Sequence, residues 1–520
     1  MLARARQFAD WVLEHRTPPD DLWGNLPYST QTEGVMGGGW DGPAIMSDKP
    51  AMFALRLLRL HDITGEPRYL QGALEIADVL ASNQLQGGPE DAGRWPFRVV
   101  PATGEVTQDY TSHLQPAVRL FDALAERTGD AAHAAVRDAA WAWLLQNPCN
   151  PASASHQRWE AFYEDQSPEM QTGLRDHYSA HEMIVELVRR RPAGWPELAV
   201  TILDTTDVRY LAAGAGSLYA PYEPVTLEWE GWPEATYAAT LQYARTSLLL
   251  HRALEGHPLQ RETWRERALA MVSVATHGQN DRDGAADGRM FTTVRDLLHP
   301  FNIDSWYEQN FNTVKYVLEI MALVPELAPA GETHLLAADR ALTAIEYGTG
   351  GWAVSYATAG GSGEELLKLA GAPAVVRAGG APLSALPSPG TPGPGWWFDA
   401  AGQLLRVRHD ASPVEIRLAA TDAGPEDVRS ADFALMVAGG GETVRIAFSL
   451  PRTMAIGLTV HDLRGRRVQS LLSGAALAAG RHEVRWDGTD GSGRQVAAGV
   501  YLLRLSAAGG AVTGRVVLVR

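Results

Sequence analysis

The chain is poor in cysteine, in lysine and in long apolar runs, and each shortage removes a class of protein. Cys149 is the only cysteine among 520 residues, which excludes an intrachain disulfide framework and any metal centre built on paired thiolates. No apolar run is long enough to cross a bilayer, so no membrane span is expected. The opening residues, Met1-Leu2-Ala3-Arg4-Ala5-Arg6-Gln7-Phe8, run straight into a helical pattern and lack the apolar core of a signal peptide. Lysine occurs only at Lys49, Lys315 and Lys368, and 61 acidic residues outnumber 45 basic ones. The net charge of -16 would repel nucleic acid and anionic lipid, so neither is an expected partner. No phosphate-binding loop or dinucleotide fingerprint is present, since the glycines of 34–39 have no strand before them.

What the chain has is a helical rhythm. Eleven apolar-periodic stretches predict helices over 2–15, 48–62, 67–84, 112–127, 131–146, 178–191, 196–212, 234–254, 263–277, 305–323 and 332–346. Pro67 suits a first helical position, and Leu70, Ala73, Ala77 and Leu80 then share one face. Asp204-Thr205-Thr206-Asp207 reads as a break within the seventh. The connectors alternate between long (16–47, 85–111) and short (63–66, 128–130). Short links force antiparallel neighbours, so the long ones must emerge together on one face. The second helix is apolar almost all round and the third on one side only, which describes inner and outer helices of an α/α toroid over 1–347. In this register the first helix has no short-linked partner, and a further helix upstream of Met1 is expected.

The long connectors carry the chemistry. Trp23, Trp40, Trp95, Trp159, Trp229, Trp232 and Trp306 lie in them or at their edges, with Arg98 and Tyr307 beside them. Indole faces gathered at one mouth suit stacking on sugar rings, whose C–H faces are apolar. The alternative for each Trp is a wedge that fixes its loop to the helices. Asp41, Asp48, Asp109, Tyr110, His113, His177, Tyr178, Glu223, Glu228, Glu230 and Glu308 accompany them. Glycosidic hydrolysis needs two carboxylates across the scissile bond. Elimination from a uronic acid needs a base such as Tyr or His, with positive or amide groups on the sugar carboxylate. Both sets of parts occur, and Asp41, Asp109, Tyr110, His177, Tyr178 and Glu230 are the candidate catalytic residues. Asp109 could equally cap a helix, and His177 could cap or pack. Asp281, Asp283 and Asp287 match a calcium loop in part but lack the distal glutamate, so a solvated turn is the plainer reading and no metal or other cofactor is expected.

Thr64-Gly65-Glu66-Pro67-Arg68-Tyr69-Leu70, Gly93-Arg94-Trp95-Pro96-Phe97 and Asp109-Tyr110 resemble the six-hairpin glycosidase-like superfamily of (α/α)6 toroids. That resemblance implies a polysaccharide or oligosaccharide substrate, neutral or uronic, and an activity among glycoside hydrolases, polysaccharide lyases and uronyl epimerases. A non-catalytic glycan-binding protein on the same scaffold is the alternative.

From Gly348 the period changes to alternation, as in Leu405-Arg406-Val407-Arg408 and Val414-Glu415-Ile416-Arg417-Leu418, which predicts a β-rich domain over 348–435. Trp396, Trp397 and Phe398 belong to its core or to a glycan contact. The remainder, 436–520, has short strands at the spacing of an Ig-like sandwich. Thr459-Val460-His461-Asp462-Leu463-Arg464-Gly465, Val484-Arg485-Trp486-Asp487-Gly488 and Ala498-Gly499-Val500-Tyr501-Leu502-Leu503 resemble the FlgD-like (hook-capping) Ig and type IX sorting-signal modules. The resemblance implies a secreted or cell-surface bacterial protein whose C-terminal module meets secretion machinery.

Overall fold

A computed structural model describes residues 2–29, 44–163, 177–212, 223–229, 232–277, 307–328, 331–348, 351–419, 434–438, 444–450, 453–461, 467–478, 480–496, 499–507 and 510–518. They divide into two compact units, one holding the helices with the strands up to residue 419, the other the C-terminal strands.

The helices are α1 (Leu2–Glu14), α2 (Asp48–Thr64), α3 (Pro67–Ser82), α4 (Gln115–Thr128), α5 (Ala131–Gln146), the short α6 (Ala154–Trp159), α7 (His177–Arg190), α8 (Trp195–Tyr210), α9 (Tyr237–Ala253), α10 (Glu262–His277) and α11 (Tyr307–Leu323). The short links repeat one device. Gly65 and Gly129 end α2 and α4 in the left-handed region, at φ 69° and 68°, and each N–H returns to a carbonyl four residues back. The preceding Thr64 and Thr128 donate their hydroxyls to Leu60 and Leu124 and accept the N–H of Glu66 and Asp130. The result is two antiparallel hairpins, α2/α3 and α4/α5, which α7/α8 and α9/α10 continue.

Burial separates two layers. Every residue of α9 from Tyr237 to Leu248 is buried, whereas α5 buries only His133, Ala140, Trp143 and Leu144. In turn α2, α4, α7, α9 and α11 pack side by side as the inner layer, backed by the outer partners. This is the inner and outer arrangement of an α/α toroid, and a single apolar core runs from Ala9 to Val324. Helix α8 passes unbroken through Asp204-Thr205-Thr206-Asp207. Thr205 and Thr206 turn their hydroxyls onto the carbonyls of Thr201 and Leu203, and Arg261, just before α10, and Arg267 within it hold the two aspartates at 2.5 and 2.6 Å.

Two small sheets stand at the starts of the inner helices: β1 (Ile45–Met46), β2 (Arg98–Val99) and β3 (Val106–Gln108), then β4 (Leu211–Ala212), β5 (Val225–Trp229) and β6 (Trp232–Ala235). The stretch 332–346, expected as a helix, is instead the pair β7 (His334–Ala338) and β8 (Leu342–Tyr347). Its alanines give helical propensity, but Asp339-Arg340 makes a turn, and cross-strand pairing of both strands outweighs propensity.

Then follow β9 (Val354–Thr358), β10 (Gly363–Lys368), β11 (Pro373–Ala378), β12 (Ala381–Pro382), β13 (Gly395–Asp399), β14 (Leu404–His409) and β15 (Val414–Leu418). They make an antiparallel four-stranded sheet, β13-β14-β10-β7, facing a five-stranded one, β12-β11-β15-β9-β8. Val354, Tyr356, Leu367, Val376, Leu405, Val407, Val414 and Ile416 fill the space between. One charged group sits in that core. Glu365 accepts the Tyr356 hydroxyl from the opposite sheet at 2.8 Å and lies 3.1 Å from His409 Nε2, with both acid and imidazole side chains wholly enclosed.

The C-terminal unit consists of β16 (Ala434–Ala438), β17 (Val444–Leu450), β18 (Met454–His461), β19 (Arg467–Leu477), β20 (Gly480–Trp486), β21 (Gly499–Ala507) and β22 (Gly510–Leu518). Sheets β16-β17-β20 and β19-β18-β21-β22 enclose Ile446, Phe448, Leu458, Val460, Trp486 and Leu503. Trp486 meets Tyr501 edge-on at 5.0 Å and donates its indole N–H to the Thr489 carbonyl.

The buried pair in the larger sandwich has a pH signature. Burial alone would depress His409, but the Glu365 carboxylate, aided by the carbonyls of Ala411 and Gly361, holds its pKa above the ordinary value. A raised folded pKa gives stability that is fully present below the unfolded value and lost as pH rises through the folded one. Melting temperatures of the wild type and His409→Ala should therefore differ most on the acid side and converge in alkali. A gap constant with pH would mean that His409 contributes packing only.

Candidate active site

The mouth is built by strand register. Met46 pairs with Arg98, and Arg98 with Gln108, so the chain leaves one three-stranded sheet to start α2 at Asp48 and, through 109–114, to start α4 at Gln115. Ser112 accepts the N–H of Tyr163 through its hydroxyl at 2.9 Å and donates its own N–H to the Tyr163 carbonyl at 2.7 Å. That clamp ties the chain before α4 to the connector that leads to α7. At the first turn of α7 the Tyr178 ring lies flat on the His113 imidazole, with centroids 4.8 Å apart and planes 12° from parallel. Gln115 and Gln242 point side-chain amides at the carbonyls of Ser179 and Tyr178, each at 3.5 Å. The inner helices α2, α4, α7 and α9 thus turn their N-terminal ends, and the positive end of each helix dipole, towards this side.

Asp48 is the buried carboxylate of this mouth. Its side chain is wholly enclosed, Lys49 Nζ stands 2.9 Å from one oxygen, and neither oxygen meets the geometry of a hydrogen bond among the described residues. Behind Tyr178 lies a tier of rings. His177 contacts Tyr210 at 5.3 Å and His181 at 5.5 Å, and His181 meets Tyr243 edge-on at 5.6 Å. Burial, with His177 and Arg245 adding to it, pushes the His181 pKa well below the imidazole range, so this ring is neutral. Burial and then the Asp207 carboxylate push the Tyr243 phenol up.

The floor is ionic. Arg119 of α4 lies 2.8 Å from Glu182 and 2.6 Å from Glu186, both on α7, and Arg245 of α9 lies 2.8 Å from Glu182 and 3.2 Å from Glu319 of α11. Glu186 also pairs with Arg189 and Arg190, which share Asp122 of α4. Burial would raise the pKa of Glu182, but Arg245, Arg119 and Lys315 outweigh it and hold this acid far below the carboxylate range.

Several expected site residues are structural in this arrangement. Trp95 is enclosed, stacks on Phe121 and donates its indole N–H to Leu80 at 2.7 Å. Trp23 and Trp159 are likewise in the core, so none of the three offers a face to a sugar. They wedge loops onto helices, because an enclosed indole removes a large apolar area from water. Tyr110 is enclosed against Trp159 at 4.9 Å and Trp143 at 5.7 Å, and burial raises its pKa, which does not suit a base. Asp109 is gripped by Arg94, which also takes its carbonyl at 2.7 Å. His177 sits in the ring tier, and Tyr178 and half-buried Arg98 are at the mouth. Trp229 and Trp232 are cross-strand partners in β5 and β6, and Tyr307 opens α11, but their side chains lie outside the described residues. Asp41, Trp40, Glu230, Trp306, Asp281, Asp283 and Asp287 also lie outside them. Among the described residues no three His, Cys, Asp or Glu gather as a metal site, and no helix is long and apolar enough to cross a membrane.

Sequence reasoning did not single out Gln115, His181 or Gln242. Their one signal is a polar side chain on a helix otherwise fit for burial.

Residues 433–511 match the FlgD Ig-like domain family. No curated protein matches the chain in sequence. Among solved structures the chain is similar to a family 76 glycoside hydrolase (mannosidase) from Bacteroides thetaiotaomicron, at 10% identity and a TM-score of 0.42, over 62% of this chain and 82% of that one. It is similar to the unsaturated glucuronyl hydrolase of Bacillus sp., at 14% identity and a TM-score of 0.34, over 62% and 97%. A family 105 glycoside hydrolase of C. acetobutylicum aligns at 9% identity and a TM-score of 0.37, over 54% and 72%. Scores of this size carry nothing about the residues of the mouth.

A depressed folded pKa gives stability that is present above the ordinary carboxylate range and lost as pH falls. Glu182→Gln should therefore cost about 3 kcal/mol at neutral pH, since it leaves the buried Arg245 with only Glu319, a longer contact to a more exposed carboxylate, and Arg119 with only Glu186. Urea unfolding of the two proteins checks this. The gap should narrow in acid, and equal midpoints at neutral pH would remove the network from the list of stabilising contacts.

Proposed function

We propose that the chain is a carbohydrate-active enzyme that works at the mouth of the helical arc. The observation that carries this is the His113–Tyr178 stack, at 4.8 Å, on the side to which four inner helices turn their N-terminal ends. A partly exposed phenol held on an imidazole can take and return a proton, while the helix N-termini, Lys49 and Arg98 suit an anionic sugar.

The reaction favoured is elimination from a uronic-acid polymer. A base at the mouth takes the C5 proton, that electron pair forms the C4–C5 double bond, and the C4–O bond breaks with protonation of the departing sugar. Tyr178, the partly exposed ring, serves as base and returns the proton to the departing sugar, the enclosed His113 imidazole positions it from beneath, and Arg98 neutralises the substrate carboxylate as charge builds on it. Proton return to the opposite face of C5 would make the same site an epimerase. Glycoside hydrolysis is the second reading, favoured by Asp48, a buried carboxylate at the start of α2. Trp229, Trp232, Trp306 and Tyr307 remain proposed sugar contacts, and Asp41 and Glu230 the proposed partners of Asp48. The C-terminal unit is proposed as an export or surface-anchoring module, a reading its match to FlgD Ig-like domains supports.

Incubation with neutral and uronic polysaccharides, followed by reducing ends and by the ultraviolet absorbance of unsaturated uronate, separates these readings. Both signals together mean elimination, and reducing ends alone mean hydrolysis. Tyr178→Phe should lower turnover by about a hundredfold or more without lowering the melting temperature. Full activity in that variant and in His113→Ala would remove the pair from the chemistry, and silence across the panel would favour a glycan-binding protein.

A further inference from the structure

A second concave surface lies at the end of the helices opposite the mouth. The C-terminal ends of α9 and α11 face the outer side of the four-stranded sheet and leave a groove of about 200 Å3 between them. Arg252 and Leu323 line it from the helices, and Leu366, Trp397, Leu404 and Arg406 from the sheet.

Strand alternation explains why an indole is there. Trp396 and Phe398 of β13 turn into the sandwich, so Trp397 between them must turn outwards, beside its cross-strand partner Arg406. Trp397 belongs to neither apolar core of this unit. Charge at the groove is positive although the chain carries -16. No carboxylate lines the groove among the described residues, and Glu364 beside it is shared between Arg406 at 2.6 Å and Arg408 at 3.0 Å. Arg252 is exposed and has no carboxylate partner among the described residues.

An indole over a floor of leucines matches the apolar C–H face of a pyranose, and guanidinium groups match a carboxylate in planar, two-pronged hydrogen bonds. The size restricts the ligand further. The groove is smaller than the ~300–1,000 Å3 sites that enclose drug-sized molecules, which suits a single ring and not a nucleotide. We propose that this groove binds one uronate residue of an acidic polysaccharide, as an accessory site independent of the chemistry at the mouth.

Calorimetric titration of the full chain with a galacturonate trisaccharide tests this, with maltotriose as the neutral control and adenosine monophosphate as the competing chemistry. Trp397→Ala and Arg252→Gln should each weaken trisaccharide binding at the groove by about tenfold or more, while Tyr178→Phe at the mouth leaves that binding in place. Arg252 is an exposed side chain near the end of α9, so its variant remains informative even if Trp397→Ala disturbs the fold. The proposal is overturned if the trisaccharide does not bind, if both groove variants bind as the wild type does, or if maltotriose or the nucleotide binds there equally well. Loss of binding in the groove variants with turnover intact would support the accessory site whatever the reaction at the mouth proves to be.

Discussion

The helical unit depends on one buried carboxylate, Glu182, held between Arg119 and Arg245. An ion taken out of water must keep its partners, and a slide of one helical turn, about 5.4 Å, would lose them. The pairs therefore lock α4, α7 and α9 in register, more strictly than apolar contacts alone would. The mouth inherits that register. Tyr178 stands one turn above Glu182, Gln115 one turn above Arg119, and Gln242 three residues above Arg245, so the amides of Gln115 and Gln242 arrive at the carbonyls of Ser179 and Tyr178. Charge pairing in the floor sets the position of the Tyr178 ring over His113.

That same feature explains what the sequence could and could not disclose. Periodicity gave ten of the eleven expected helices, because an apolar stripe is a direct imprint of burial. The eleventh failed where alanine-rich composition imitates a helix while the backbone is committed to strand pairing in β7 and β8. Charged residues of α7 spaced at i and i+4, Glu182, Glu186 and Arg190, look in sequence like a solvated face. Only the complementary charges on neighbouring helices reveal that they point inwards, and those neighbours are about 60 residues away in the chain. Inner helices with polar faces are invisible to any argument made one helix at a time.

The aromatic loops failed for a related reason. A Trp in a connector satisfies two descriptions equally well, a platform for sugar and a wedge for the loop, since both exploit the apolar body of the indole. Trp95 shows which wins when a backbone acceptor is near: its N–H meets Leu80 and nothing is left to face outwards. The tyrosines divide in the same way. Tyr110 precedes α4 in a segment pinned by Arg94 and Asp109 and is walled in by indoles, while Tyr178, on the first turn of α7, is only partly buried. Position relative to the helix start, not residue type, separates a core tyrosine from one that can meet substrate.

The acidic substrate proposed for the mouth meets a further constraint, because the whole chain bears -16 and would repel it at a distance. Salt shortens that repulsion to about 8 Å under physiological conditions, so beyond this range the net charge has little say. Inside it the local arrangement decides: helix N-termini, Lys49 and Arg98 at the mouth, where the acids of the floor are already neutralised by Arg119, Arg245 and Lys315. The buried pairs thus do a second task, keeping carboxylates that must exist for register from opposing an anionic ligand one turn above them.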